Sequence, residues 1–438
     1  MRGRGLVRSL ISVYDVLHKR LSNTIGVLTN QFGQRTYSVG SGGYRKIGHR
    51  SLCCLAAILP FIFLTFIASE GYFQTHLSEE LVSSTQFSAA VNSIISGFNS
   101  NSSCDVFSGK WVYDKTYPLY NVSECPFAEH GFRCQNNGRK DQDYMKWRWK
   151  PLSCDIPRFN PSDILQRLQG LRVVFVGDSM ARTQWESLIC LLMQGVADKR
   201  SVYEINGKKI TKLVPFLRVR FSSFNFTIEY YRSPFLVQKG SPPKNVPKRV
   251  HRTLKLDKMD DSNKRWLDAD ILIFNSGHWW TPTKTYQLGC YFQVGDSLKL
   301  GMKIEAAYQK AISTWASWVE SAVNTSRTHV FFRSFEPSHW SGSWDNLSCK
   351  VSRQPISNLK RIRGYLLSQI SWDVIARMKA PVTFLNVTTL SAYRTDAHIG
   401  KWSDKPDVPD CSHWCLPGVP DIWNEMLFSS FFMRGRRV

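Results

Sequence analysis

Acidic side chains are scarce in this chain of 438 residues: 34 Asp and Glu stand against 57 Lys and Arg, a formal net charge of +23. In the first fifty residues the only acid is Asp15, beside nine bases (Arg2, Arg4, Arg8, Lys19, Arg20, Arg35, Arg45, Lys46 and Arg50). Neither a glycine period nor a long heptad run occurs, which excludes collagen-like and coiled-coil architectures, and there is no internal repeat. No P-loop or Rossmann fingerprint marks a nucleotide site. No CxxC pair occurs beyond residue 69, and Cys411-x-x-x-Cys415 has no matching second pair, so no metal site is expected. Apolar residues reach 43 %, too many for a globally disordered chain.

One uncharged run stands out. Residues 51–69 read SLCCLAAILPFIFLTFIAS, and at ~1.5 Å per residue they just cross a hydrocarbon core. The run is apolar all round, unlike a one-faced core helix, and Pro60 is tolerated in a spanning helix. The basic flank before it and Glu70, Glu79 and Glu80 after it predict a cytosolic N-terminus under the positive-inside rule. The expectation is a single-pass, type II signal anchor. Its short span suits a thin early secretory membrane, hence the Golgi.

Two further features agree with a lumenal remainder. Asn-x-Ser/Thr acceptors occur at Asn101, Asn121, Asn225, Asn324, Asn346 and Asn386, and none precedes the span. Nine of the 11 cysteines lie beyond it, enough in an oxidising lumen for four disulfides and one odd thiol. This compartment excludes nucleic acid as a partner despite the basic charge. The expected layout is a cytosolic tail (1–50), a membrane anchor (51–69), a Ser- and Asn-rich stem (70–103) and a lumenal domain (104–438). Within that domain, 104–160 reads as a cysteine-stapled, loop-rich cap and 161–438 as an α/β part.

From residue 171 strands and helices alternate. LRVVFV (171–176), DILIFN (270–275), HVFFRSF (329–335) and VTFLNV (382–387) suit buried parallel strands. Helices are predicted over 179–194, 302–323, 356–378 and 420–432, an antiparallel hairpin over 213–232, and a basic, Pro-rich loop over 238–265. The pattern implies a parallel sheet covered on both faces.

Three motifs carry chemistry. Gly177-Asp178-Ser179 follows the first strand and opens a helix. There a Ser hydroxyl is exposed at the sheet edge, and the helix N-terminus can hold an oxyanion; a plain helix cap is the competing reading. Asp410-Cys411-Ser412-His413 places an acid and an imidazole three apart on a tight turn, as base and orienting group for a serine, or as a structural capping pair. Asn275-Ser276-Gly277-His278-Trp279-Trp280 follows another strand. The Asn275 amide or the Gly277 N–H could complete an oxyanion hole, and Trp279 and Trp280 could stack on a sugar ring, or all four could be core. The 15 Trp admit the same two uses.

The GDS after an apolar strand, with DCSHWCLPGVPDIWN (410–424), resembles the plant trichome birefringence-like family, polysaccharide O-acetyltransferases with a GDSL/SGNH-hydrolase-like fold. CDVFSGKWVYD (104–114), PLY (118–120), CPF (125–127), NGRKDQDYMKWRWKP (137–151) and CDIPRF (154–159) extend the resemblance across about 104–435. It implies Ser179 as nucleophile with Asp410 and His413 as partners. It also implies disulfides Cys104–Cys154, Cys125–Cys190, Cys134–Cys415 and Cys349–Cys411, with Cys290 left free. Thr183 departs from the Asn common at that position. The expected function is acetyl transfer from acetyl-CoA or another acetyl carrier, with no resident cofactor, to a cell-wall polysaccharide. An acetylesterase and a non-catalytic wall-polysaccharide binder are the alternatives. Beyond the tail, 48 basic and 33 acidic residues leave +15. That charge suits an acidic glycan such as pectin, or is simply a solvated basic surface.

Overall fold

The computed structural model describes residues 105–342, 348–357, 359 and 365–433. The tail, the hydrophobic run and the stem lie outside them, as do Cys104, Asn101 and Asn346. Among the described residues no helix is long and apolar enough to cross a membrane.

The described residues start with a two-stranded antiparallel sheet of β1 (Gly109–Tyr113) and β2 (Trp147–Pro151), then a short helix α1 (Pro161–Arg167) capped by Asn160. Next come β3 (Arg172–Gly177), α2 (Ser179–Met193), β4 (Val202–Glu204), β5 (Phe216–Phe221) and β6 (Phe226–Arg232). They are followed by β7 (Val237–Gly240), β8 (Arg252–Met259), β9 (Ile271–Asn275), β10 (Cys290–Val294) and β11 (Ser297–Lys299). Helix α3 (Ile304–Ala322), β12 (His329–Arg333), α4 (Tyr365–Ile375), β13 (Val382–Leu385), α5 (Thr388–Ala392), β14 (His398–Gly400), β15 (Asp410–Trp414) and α6 (Val419–Met433) complete it.

The main sheet runs β13-β12-β9-β3-β6-β5-β4. Its first five strands are mutually parallel, and β5 and β4 extend the edge antiparallel. Alternation decides which layer each side chain joins. Val173 and Phe175 of β3 pack with α2 and α6 on one face. Val174 and Val176 pack with Phe274, Trp315 and Phe332 under α3 on the other. Both faces are therefore covered, as expected of a parallel sheet. Helix α2 is buried almost all round because sheet and α6 enclose it. Trp185, Trp266, Trp315, Trp414 and Trp423 are fully buried core residues.

Two expectations change. The segment 238–265 contains strands: β7 and β8 pair antiparallel and join β10 and β11 in a second sheet. Its basic charge hid the alternation of RTLKLDKM, whose Leu254 and Leu256 are buried while Lys255 is only partly so. The stretch before residue 160 is more than a cap. Val106, Tyr120, Phe132 and Trp149 belong to the same core as α2 and α6. Tyr117 donates to Glu425 (2.8 Å) and Tyr120 to Asp421 (3.1 Å) on α6.

Disulfides Cys125–Cys190 and Cys134–Cys415 tie that segment to α2 and to the end of β15, and Cys349–Cys411 holds the start of β15. Cys154 is disulfide-bonded, its expected partner Cys104 lying outside the described residues. Cys290 is free and buried. Of the glycan acceptors, Asn121, Asn225 and Asn324 are exposed and Asn386 is half-buried.

Candidate active site

Ser179 is the first residue of α2, immediately beyond the carboxyl end of β3. The neighbours of β3 are β6 and β9, reached in opposite directions along the sheet, and such a reversal opens a crevice at the strand ends. The turn is built tightly. Asp178 is fully buried and caps α2 by accepting from the Met180 amide at 2.9 Å. The same carboxylate accepts from Asn275 Nδ2 at 2.8 Å and from the His278 amide at 3.3 Å. A Cβ on Gly177 would stand 1.9 Å from Asn275 Oδ1, so only glycine lets β3 and β9 end this close together. Thr183 donates to the Ser179 carbonyl at 3.0 Å from the next turn.

The Asp410 and His413 side chains come from β15, which pairs with β14. The expected tight turn is thus the opening of a short irregular strand. Asp410 Oδ1 accepts from the Ser412 and His413 amides at 2.8 and 2.9 Å. Its Oδ2 lies 2.7 Å from His413 Nδ1, and His413 Nε2 lies 2.7 Å from Ser179 Oγ. Burial pushes the Asp410 carboxyl up, but His413 and the two amides outweigh it and hold the group well below the usual carboxylate range. Behind the site, His398 Nδ1 donates to the His413 carbonyl at 2.9 Å, and its ring stacks on Trp414 at 3.9 Å.

Ser179, Asp410 and His413 open together into a cavity of about 640 Å³, also lined by His278, Trp279 and Trp340. The remaining candidates divide. Trp279 reaches the cavity, but Trp280 is 3 % exposed and donates to Ser276 Oγ at 2.8 Å, so it is core and cannot stack on a sugar. Asn275 is buried and gives one amide hydrogen to Asp178, and a Cβ on Gly277 would meet the Phe335 ring. The N-terminus of α2 at Ser179 offers a further donor.

Two cavity residues carried no assigned role in the sequence reading. His278 stacks on Phe335 at 4.7 Å, with Nε2 at 3.0 Å from the Glu336 carbonyl and 3.4 Å from its carboxylate. Burial pulls its pKa down, but Glu336 overrides this and raises it. Its position within the hexapeptide after β9 was the only signal. Trp340, 37 % exposed, donates to Ser412 Oγ at 3.0 Å and presents an aromatic rim that nothing in its local sequence announced.

Known proteins share this organisation. Residues 156–430 match the PC-esterase family, described as the GDSL/SGNH-like acyl-esterase family found in Pmr5 and Cas1p, and residues 102–155 match the PMR5 N-terminal domain. The chain is 59 % identical over 329 residues to an Arabidopsis thaliana protein named trichome berefringence-like 7, covering 75 % of this chain and 73 % of that one. It is 45 % identical to trichome birefringence-like 6 (74 % and 70 % covered) and 40 % identical to trichome birefringence-like 9 (87 % and 98 %), both of the same plant. With a family match over most of its length and relatives this similar, the chain belongs to the PC-esterase family and, within it, to the trichome birefringence-like proteins.

Proposed function

We propose that the protein is an O-acetyltransferase that moves acetyl groups onto hydroxyls of a plant cell-wall polysaccharide. The observation that carries this reading is the hydrogen-bonded series Asp410–His413–Ser179, open to a cleft with an aromatic rim, in a chain of an acyl-esterase family. Ser179 Oγ attacks the carbonyl carbon of an activated acetyl ester or thioester, such as acetyl-CoA, while His413 Nε2 takes the hydroxyl proton. The oxyanion forms at the N-terminus of α2. Collapse expels the leaving group, which takes the proton from His413, and leaves acetyl-Ser179. A sugar hydroxyl then attacks this ester, giving its proton to His413, and His413 returns that proton to Ser179 Oγ as the acetylated sugar leaves. Asp410 keeps Nδ1 protonated and stabilises the imidazolium.

The family's description as acyl esterases supports a second reading, in which water takes the place of the sugar. The proposed setting is the Golgi lumen, behind the 51–69 anchor, with glycans on the exposed acceptors. Protease added to intact microsomes should then spare residues 70–438, and their digestion would refute this orientation.

Intact-protein mass spectrometry with donor and no acceptor tests the chemistry. One added acetyl is expected on the Ser179 peptide, lost in Ser179→Ala and passed on when polysaccharide fragments are supplied. Near-normal transfer by pure Ser179→Ala would overturn the assignment. Discharge to water alone, with fragments present, would select the esterase.

A further inference from the structure

The wall of the cleft around Trp279 is strongly cationic. Arg232, Lys239 and Lys284 stand 5.3, 5.5 and 5.2 Å from the centre of its indole ring. Lys212 is beside them: its carbonyl accepts from Arg232 Nη1 at 3.4 Å. Lys212, Arg232 and Lys284 line the same cavity as Ser179. Among the described residues none of these four cations is in an ion pair. Of the acids of the cavity, Asp410 is paired with His413, Asp404 lies in the segment before β15, and Glu129 pairs with Arg182 while its Oε1 accepts from the Lys212 amide at 3.2 Å, so one carboxylate, itself already neutralised, borders this wall.

Burial pushes the Lys239 ammonium below its ordinary value, and the charge of Arg232 pushes it the same way against a partial pull from Asp260. Like charges gathered on one indole cost electrostatic free energy, which an anion delivered from outside would relieve. The cation-crowded indole also leaves little open face for a sugar ring, unlike Trp340.

We infer that this wall is an anion subsite of the acceptor groove, and that the acceptor is a glycan carrying carboxylates, a polymer containing uronic acid. The inference rests on the acetyl-transfer reading for the word acceptor, but the subsite stands on its own geometry. A phosphate-bearing donor would share the charge chemistry. The arrangement fits it less well, because phosphate pockets bring backbone N–H groups and cations to one point. Here the cations come from separate places, the loop before β5, the end of β6, β7 and the loop after β9, and they radiate from an indole. That spacing matches single charges repeated along a chain.

The test uses the full-length chain in detergent and calorimetric binding of three probes: unesterified oligomers of galacturonic acid, their methyl esters, and coenzyme A. The methyl ester keeps the ring and removes the charge. The acid should bind about tenfold tighter than the ester at low salt, with the advantage shrinking as salt is raised. Arg232→Gln with Lys284→Gln should abolish that ratio, and Lys284→Arg should keep it, with all variants melting alike. Equal binding of acid and ester overturns the subsite. So does coenzyme A that displaces the acid oligomer and itself needs Arg232 and Lys284, because the wall would then read phosphate. The two readings fail separately. An acid oligomer that binds well but never receives acetyl sinks the transferase reading alone. Transfer onto neutral glycans without any charge preference sinks the subsite alone.

Discussion

Replacing Asp410 by Asn isolates the role of one carboxylate oxygen. The two carboxylate oxygens have different work. Oδ1 receives the Ser412 and His413 amides, and Oδ2 receives His413 Nδ1. An asparagine can keep its oxygen on the two amides, since both are donors. Its NH₂ must then face His413 Nδ1 at about the present 2.7 Å, and two donors cannot meet. The imidazole answers by moving its proton to Nε2, the nitrogen that faces Ser179 Oγ at 2.7 Å. The lone pair needed to take the serine proton is then gone. The same substitution in serine proteases sets the scale, a loss of about 10⁴-fold, or ~5.5 kcal/mol of activation free energy. Folding should suffer far less, by about 1 kcal/mol, because the change removes one hydrogen bond of a partly exposed pair. Initial rates of acetyl transfer at saturating donor and acceptor, read beside thermal melts, separate the two effects. A folded Asp410→Asn protein within tenfold of wild type would refute the tautomer argument and leave Asp410 as a capping residue.

Other perturbations follow from the same geometry. His413→Ala combined with Ser179→Ala should be no worse than either alone, because the three groups act as a unit; additive losses in single-turnover rates would contradict this. Gly177→Ala drives a methyl into Asn275, with 1.9 Å to its Oδ1 and 2.7 Å to its carbonyl, so the ends of β3 and β9 must separate. It should cost about 1–3 kcal/mol in denaturant unfolding and displace Ser179, and an unchanged midpoint would argue against the close approach. Removing the bridge that closes 62 residues between Cys349 and Cys411 by a double Ser substitution should lower stability by about 2–5 kcal/mol and reduce transfer, since β15 loses its tether. Full activity at an unchanged melting temperature would refute that. Burial raises Glu425 to about 8 and Asp421 to about 7, so the folded chain holds protons that the unfolded chain releases above roughly pH 4–4.5. Stability from these groups is therefore present at acid pH and is lost as pH rises toward 8. Buried His398 and His339, whose pKa values burial lowers, oppose this below about pH 6.5. Glu425→Gln should shrink the fall in melting temperature between pH 6.5 and 8, and an identical fall would exclude Glu425 as a source.

Much of the sheet was legible because its strands are buried on both sides. ILIFN and HVFFR have no polar face to confuse with a surface helix, and they lie at β9 and β12 as read. The hairpin over 213–232 alternated clearly and became β5 and β6. The segment 238–265 failed for the opposite reason. Its strands lie in a small second sheet and carry lysines on their open sides, so composition outweighed period. Ser179 was legible at a strand end and Asp410 with His413 as a pair three apart, although that pair lies on β15 rather than on a turn. Which Trp faced the cleft was not legible, because Trp279 and Trp280 are neighbours of the same type, and the packing of Phe292 and Tyr308 around Trp280 distinguishes them. Trp340 was invisible for the same reason: its exposure depends on partners such as Ser412, 72 residues away.

The bridge between Cys134 and Cys415 joins residues 281 apart, and it has a consequence for the order of events during synthesis. A ribosome delivers the serine and most of the sheet long before it delivers the histidine. Until the last strand is made and its cysteine finds a partner near the beginning of the domain, the nascent protein has a hydroxyl with no base beside it. Under the proposed mechanism and the proposed lumenal setting, the chain is therefore chemically silent while it is being threaded into the secretory pathway. On that reading it becomes competent once its last strand is in place and the bridge has joined its first part to its last. Maturation and activation would then be a single step, and a reducing agent mild enough to spare the sheet would return the protein to its silent state.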